Sequence, residues 1–496
     1  MRALVVLLCM SIVTSEGKDP KVIIVGAGSS GIAAASKLLQ NGITDVTILE
    51  AEGRFGGRVY SAKFGEYLID LGGQWVHGEK DNAAYDLAAP FGLLSKAVGP
   101  GRTEEEPFIH RYYTSAGEAV MKQLGGDFFT FAIACSDDPT GAEKVKNGSF
   151  GEYVDNKINE YYGNHTEEIT PDLRQGLTHA AKLAIMASEG AADLNDLSLK
   201  RTQEYVGARG YQAVNWKDRT YNTVLEILMK KIPNAEEELP IANKTLLNKQ
   251  VTKIKYNGDG PIKITTSDGS EFTADHVIST ISLGVLKADH EKIFEPALPE
   301  KNRNSIQGLG FGRNAKIFLY YDEPWWDTTE YAISLLIWTE ADRKEIENDP
   351  EKIWMLGVGY SLPVEYKPKV LLLWMSGLYC EQMEKIPDEL FENQTLELIE
   401  RFFGKSHNLT QPKDIIRTRW NTNENFRGTY SYPSLASVAN NASPEELGTP
   451  VTRNDRPVIQ FAGEATEPDY YSTVHGAISS GWREADRLIN FYKQQD

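Results

Sequence analysis

Residues 21–31 read Lys21-Val22-Ile23-Ile24-Val25-Gly26-Ala27-Gly28-Ser29-Ser30-Gly31, and their reading decides the fold. The unbroken apolar run after Lys21 suits a strand buried on both faces, as in a parallel sheet covered by helices. A helical stretch from Ile32 to Gln40 follows, then Val46-Thr47-Ile48-Leu49 ending in Glu50, which makes a βαβ unit. Gly26 permits the tight turn, Gly28 lets the backbone approach a pyrophosphate, and Gly31 lets helix and strand pack closely, with the helix N-terminus facing the phosphates. Glu50 lies 19 residues beyond Gly31, at the end of the second strand, where a carboxylate accepts hydrogen bonds from ribose hydroxyls. The expected fold class is α/β, with a Rossmann-like dinucleotide-binding domain.

Glu50-Ala51-Glu52-Gly53-Arg54-Phe55-Gly56-Gly57-Arg58 sets two glycines between two arginines directly after the ribose acid. Backbone and guanidinium groups are thereby placed to wrap a pyrophosphate. The segment resembles the second fingerprint of the FAD-dependent amine oxidase family, which implies FAD rather than NAD. Near the C-terminus, Val458 to Ala462 reads as a buried strand and Gly463-Glu464-Ala465-Thr466 as a turn. Val474-His475-Gly476-Ala477-Ile478-Ser479-Ser480-Gly481 then starts a helix whose small residues admit a flat ring near its N-terminus. This stretch is similar to the closing flavin motif of the same family. The resemblance implies that Glu464 binds the ribityl chain and that the Thr473–Val474 backbone faces the flavin's pyrimidine edge, where the helix dipole stabilises charge gained on reduction. Gln250 to Tyr256 alternates as a strand, and Val251 matches the position whose backbone contacts adenine in the family.

The family threads its chain twice between two interwoven domains. By that resemblance an FAD domain collects residues 18–85, 236–300 and 455–496, and a substrate domain of mixed sheet and helices takes 86–235 and 301–454. Thr178 to Ser188 and Asn222 to Ile232 read as helical within the latter.

A flavin amine oxidase passes a hydride equivalent from the carbon beside a neutral amine to flavin N5. The imine hydrolyses, and dioxygen takes the electrons to give hydrogen peroxide. Gly310-Phe311-Gly312-Arg313-Asn314-Ala315-Lys316 runs into a strand, and Lys316 matches the family lysine that holds a water near N5. Arg419-Trp420 and the segment Phe426 to Tyr432 resemble the part that sets an aromatic beside the flavin face, with Tyr430 as the wall against which substrate packs. Monoamine oxidases carry a flavin-bonded cysteine just before that ring. Here the residue is Thr429, so FAD is expected to be non-covalent, and Thr473 stands where their second tyrosine would be. Tyr470 to Ala477 is similar to the spermine oxidase and acetylpolyamine oxidase ending, in which the hydroxyls of the Ser472-Thr473 pair meet the substrate amine. Gly72-Gly73-Gln74-Trp75-Val76-His77-Gly78 resembles the segment that puts a histidine, here His77, at the mouth of the substrate tunnel. Glu189 is a candidate carboxylate for the far ammonium. The expectation is a secreted oxidase of spermine or a related polyamine. A secreted L-amino-acid oxidase, and a secreted flavoprotein that binds amines without turnover, stay open beside it. A lysine-specific histone demethylase is disfavoured by the export signal.

Composition agrees with a folded chain: of 496 residues, 41% are hydrophobic and 25% charged. With 52 basic and 70 acidic side chains the formal charge is −18, which disfavours a nucleic-acid partner and suits cationic ones. Arg2, the apolar run Ala3 to Val13 and Val13-Thr14-Ser15 read as a secretory signal peptide over residues 1–15, too short to span a membrane. Sequons at Asn147, Asn164, Asn243, Asn393, Asn408 and Asn441 suit an exported chain. Removal of Cys9 with the signal leaves Cys135 and Cys380, for which both a bridge and two buried thiols are open. The eight histidines form no metal-ligand spacing, so no metal is expected.

Overall fold

A computed structural model describes residues 19–104, 109–120, 122–135, 148–165, 169–202 and 204–495. The expected signal peptide and the sequon at Asn147 lie outside the described residues. Val22–Val25 sits inside a six-stranded sheet and is almost wholly buried. Both of its neighbours, Val46–Leu49 and His276–Ser279, run parallel to it, with Ile23 opposite Thr47 and Val277. Arg456–Phe461 continues the parallel order beyond His276–Ser279, and Thr245–Leu246 beyond Val46–Leu49. Val451–Arg453 adds an antiparallel edge, beginning ahead of the expected boundary at residue 455.

The helix Ser29–Gln40 begins earlier than its apolar pattern suggests, because Gly28 in extended conformation already serves as its N-cap. The long helix Val474–Lys493 lies against it. A Cβ on Gly481 would stand 2.2 Å from the Ser30 carbonyl oxygen, and one on Gly476 2.1 Å from that of Tyr470. These two glycines therefore serve backbone-to-backbone packing. Asn222 to Ile232 is helical only over Thr223–Leu228, since Lys230 turns to a φ of 60° and the residue before Pro233 disfavours helix.

The second six-stranded sheet orders Asp414–Arg417, Asn314–Tyr320, Lys367–Ser376, Val358–Val364, Ala332–Ile337 and Ile109–Thr114. All its pairs are antiparallel except the last. Pro171–Glu189 packs on this sheet so closely that a Cβ on Gly176 would meet the Trp338 carbonyl oxygen at 2.4 Å. Thr170 caps that helix through the Leu173 N–H, and Pro171 opens it. It ends at Gly190, in the left-handed region at φ 71°, with Tyr430 packed against it. Cys135 and Cys380 are buried in separate apolar clusters and neither is in a disulfide. Asn164, Asn243, Asn393, Asn408 and Asn441 are exposed. Among the described residues no helix is long and apolar enough to cross a membrane, and no cluster of His, Cys, Asp or Glu is placed to hold a metal ion.

Candidate active site

A cavity of about 1120 Å³ is walled by both six-stranded sheets and their connections. Its volume exceeds the roughly 300–1,000 Å³ typical of a small-ligand pocket. At one end the glycine turn closes on itself. A Cβ at Gly26 would lie 2.4 Å from Thr280 Oγ1, and one at Gly31 2.0 Å from the Gly26 carbonyl oxygen. Gly28 is different, because nothing lies closer to its missing Cβ than Gly56 and Gly57 at 3.9–4.0 Å, and it lines the cavity. Gly56 N–H donates to the Ala27 carbonyl at 2.8 Å, so the two fingerprints touch.

Glu50 Oε2 accepts from Ala27 N–H and Oε1 from Glu52 N–H, each at 2.7 Å. Each oxygen keeps lone-pair capacity for a ribose hydroxyl. Burial pushes this carboxyl above its usual range. The helices beginning at Ser29 and Val474 both present N-termini here, and neither carries an acid in its first turn. Arg58 stays on the cavity wall, donating to the Thr429 carbonyl at 2.5 Å and to Glu464 Oε1 at 2.8 Å. Arg54 does not join it. Its guanidinium pairs with Glu52, donates to the Gly57 carbonyl and lies over the Tyr60 ring, bracing the loop instead of the ligand. Glu464 Oε2 accepts from Ser431 Oγ at 2.6 Å and Ser472 N–H at 2.9 Å, so this carboxylate ties together the segments around residues 58, 431 and 472. Val251, Trp420 and Val474 line the same cavity, with Trp420 Nε1 donating to the Leu71 carbonyl. Thr429 Oγ1 is buried on this wall without a partner. An open glycine cradle, a carboxylate with spare acceptors and an unpartnered buried hydroxyl all fit a bound flavin dinucleotide.

Lys316 projects from Asn314–Tyr320 into the middle of the cavity wall and is 5% exposed. Its Nζ donates to the carbonyls of Asp70 and Gly72 at 3.0 and 2.8 Å and to Gln74 Oε1 at 2.9 Å. Trp75, Phe318 and Trp374 surround it with ring centroids at 5.4–5.8 Å. Burial pushes the ammonium's pKa down, and the nearby Asp70 and Glu365 carboxylates oppose that. All three protons of the charged form are thus already given to protein acceptors.

His77 is open to the cavity. Its Nδ1 lies 2.6 Å from the Gln212 carbonyl oxygen, an acceptor only, so Nδ1 carries the proton and Nε2 is left as an acceptor. Burial lowers its pKa. The Tyr430 hydroxyl receives from Asn314 Nδ2 at 2.8 Å and donates to the Ala187 carbonyl at 3.2 Å, which pins the ring beside Glu189. Glu189 also faces Tyr205 and Tyr471, and its charge adds to the burial that raises both phenols. Ser472 and Thr473 line the cavity, yet their hydroxyl protons go to the backbone carbonyls of Ser431 and Tyr470. Thr473 Oγ1 also accepts from Gly476 N–H as the helix cap. The pair therefore offers lone pairs, not protons, which still suits an N–H donor.

The sequence reading missed Gln74 and Glu365. Glu365 lies between Val358–Val364 and Lys367–Ser376, is 4% exposed and lines the cavity. Gln74 lies within the Gly72–Gly78 segment, but no local pattern marks Glu365.

Residues 29–489 match the family described as flavin containing amine oxidoreductase. The chain is 29% identical over 512 residues to the peroxisomal N(1)-acetyl-spermine/spermidine oxidase of Homo sapiens, covering 96% of each. It is 26% identical over 549 residues to probable polyamine oxidase 5 of Arabidopsis thaliana, covering 96% of this chain and 99% of that one. A redesigned putrescine oxidase of known structure shares the fold, with a TM-score of 0.66 at 19% identity over 95% of this chain and 99% of its own. The family match runs from Ser29, at the start of the first helix, through the Lys316 strand and into the C-terminal helix, and the chain belongs to the flavin-containing amine oxidoreductases, an FAD-dependent amine oxidase.

Proposed function

We propose that this oxidase acts on spermine or a related polyamine and is exported. One observation carries the substrate reading: the cavity beyond Lys316 is walled by aromatic rings with the carboxylates Glu189 and Glu365, and among the described residues no arginine is spare there. Among the described lining residues the arginines are Arg58 and Arg427, which bind Glu464 and Asp289. An amino-acid oxidase needs a guanidinium for the substrate carboxylate, whereas cationic amines need acceptors and ring faces. The interwoven domains at 18–85 with 236–300 and 455–496, and at 86–235 with 301–454, belong to this reading and draw support from membership of the two sheets, apart from the edge strand Val451–Arg453. Export draws support from the N-terminal pattern and from the exposed sequons.

A bound FAD would supply the two-electron chemistry, a hydride acceptor for the carbon beside the amine and a route for the electrons to dioxygen. The protein's part is placement. Tyr430 holds the alkyl chain against its ring, Ser472, Thr473 and His77 Nε2 accept from amine N–H groups, Glu189 meets a distant ammonium, and Lys316 stays beside the reacting face. Gly26, Gly28, Gly31, Glu50, Arg58, Val251, Trp420, Glu464 and Val474 hold the cofactor. Anaerobic mixing with spermine is expected to bleach the visible flavin absorbance. Failure with spermine, N1-acetylspermine and spermidine alike, or bleaching by leucine instead, would sink the substrate claim.

His77 adds a pH dependence. Neutral, its Nε2 accepts from the amine; protonated, it loses the lone pair and gains a charge that repels a cation. Because burial holds its pKa below the usual 6.5, KM for spermine is expected to rise only on the acid side of that value. In His77→Gln the acid-side rise is expected to flatten. An identical KM profile in both proteins, over about pH 5 to 8, would take His77 out of binding.

A further inference from the structure

The acceptors around Lys316 differ in kind. Those of Asp70 and Gly72 are backbone carbonyls, held by the fold, but the third is an amide side chain whose two ends have nearly the same size. We propose that Glu365 is a positioning residue for Lys316, aiming the Gln74 amide and the Trp75 indole at it. The inference rests on the reading of Lys316 as the lysine beside the flavin. A carboxylate only accepts, so Gln74 must turn its NH2 to Glu365 Oε2, at 3.3 Å, and its carbonyl oxygen to Lys316 Nζ. The flipped amide would point a donor at a cation. Glu365 is itself pinned, because its Oε1 accepts from Trp75 Nε1 and from the Tyr331 hydroxyl, both at 2.7 Å. One side chain thus orients a polar and an aromatic neighbour of the same ammonium.

A plain ion pair is the competing account, and the contacts disfavour it. Lys367, two positions along the hairpin, donates to the carbonyls of Lys217, Arg219 and Glu365 at 3.3–3.4 Å, not to the Glu365 carboxylate. The carboxylate's direct donors are an indole, a phenol and an amide, all neutral. The charged groups facing Lys316 are Asp70 at the end of Tyr67–Asp70 and Glu365 on the hairpin, with Lys367 facing both carboxylates.

The test uses FAD-loaded Glu365→Gln, Gln74→Glu, the double exchange, Gln74→Leu and Lys316→Met. Two half-reactions are followed against pH: reduction by amine, and reoxidation by dioxygen after photoreduction, which needs no amine. In Glu365→Gln the new amide keeps its oxygen on Trp75 and Tyr331, so two NH2 groups oppose each other and Gln74 turns its own NH2 onto Lys316. The half-reaction that Lys316→Met slows is expected to slow about tenfold to a hundredfold in Glu365→Gln, with its pH profile moved to the acid side and FAD content unchanged. The double exchange restores the order of donors and acceptors, since the amide at position 365 then donates to a carboxylate at position 74 whose other oxygen accepts from Lys316. Most of the lost rate is expected back, and the melting temperature, lowered in each single variant, is expected to recover with it. An unchanged rate and pH profile in Glu365→Gln, a double exchange no better than its parents, or a wild-type profile in Gln74→Leu would each overturn the proposal. Gln74→Leu decides the matter if the charged variants do not fold. Absence of bleaching by any polyamine would defeat the substrate reading and leave the reoxidation measurement standing.

Discussion

Lys316→Met is expected to slow flavin reduction or reoxidation about a hundredfold or more while FAD stays bound, within the range that a positioned proton-bearing side chain contributes. Met is a fair match in length and fills the aromatic box of Trp75, Phe318 and Trp374, so volume changes little. What changes is charge and proton supply. The carbonyls of Asp70 and Gly72 and the Gln74 amide lose their shared donor, and the buried Asp70 carboxylate, already raised by desolvation, loses a nearby cation. Cofactor retention is expected to survive, because the groups proposed to hold ribose and pyrophosphate, Glu50, Gly28 and Arg58, make their hydrogen bonds away from the Lys316 side chain. Stopped-flow measurement of both half-reactions decides the point. Wild-type rates in both would remove Lys316 from the chemistry.

Gly31→Ala is expected to yield protein that retains little or no FAD. The added Cβ would stand 2.0 Å from the Gly26 carbonyl oxygen and 3.2 Å from Ile24 Cγ2. The nearer atom is backbone in the turn itself, so no rotamer change relieves the clash, and the helix must lift away from the sheet. That helix start is also the wall of the phosphate end of the cavity. Overpacking of this kind costs about 1–3 kcal/mol or more in a close-packed site, and each 1.4 kcal/mol taken from cofactor binding is about tenfold in affinity. Gly53→Ala is the comparison. Its Cβ would meet nothing closer than Asn248 Oδ1 at 3.4 Å, and it is expected to keep its flavin. The ratio of FAD to protein after gel filtration reads the result, and stoichiometric FAD in Gly31→Ala would show that the turn tolerates a side chain.

Legibility followed distance along the chain. Val22–Val25, Ser29–Gln40 and Val46–Leu49 form a contiguous unit whose interactions span a few tens of residues, so periodicity and glycine spacing predicted both its structure and its ligand type. Helix Thr223–Leu228 was legible in kind but not in extent, because backbone turning near Pro233 ended it early. Arg54 shows the limit inside the best motif. Its spacing matched a phosphate clasp, yet Glu52 and the Tyr60 ring, both close in sequence, captured the guanidinium.

The sequence by itself determined the α/β class, the cofactor turn with Glu50, and the family-like neighbourhood of Lys316, since each depends on residues close in the chain. Tertiary structure alone decided what Lys316 touches and which carboxylates face the cavity. Glu365 meets Gln74 and Trp75 across 291 and 290 positions, and their polarity is set by which group must donate and which can only accept. Such a constraint exists only once the hairpin between Val358–Val364 and Lys367–Ser376 is folded over the Lys316 strand. Burial then makes it matter, because a donor or acceptor withdrawn from water must find its partner inside the protein.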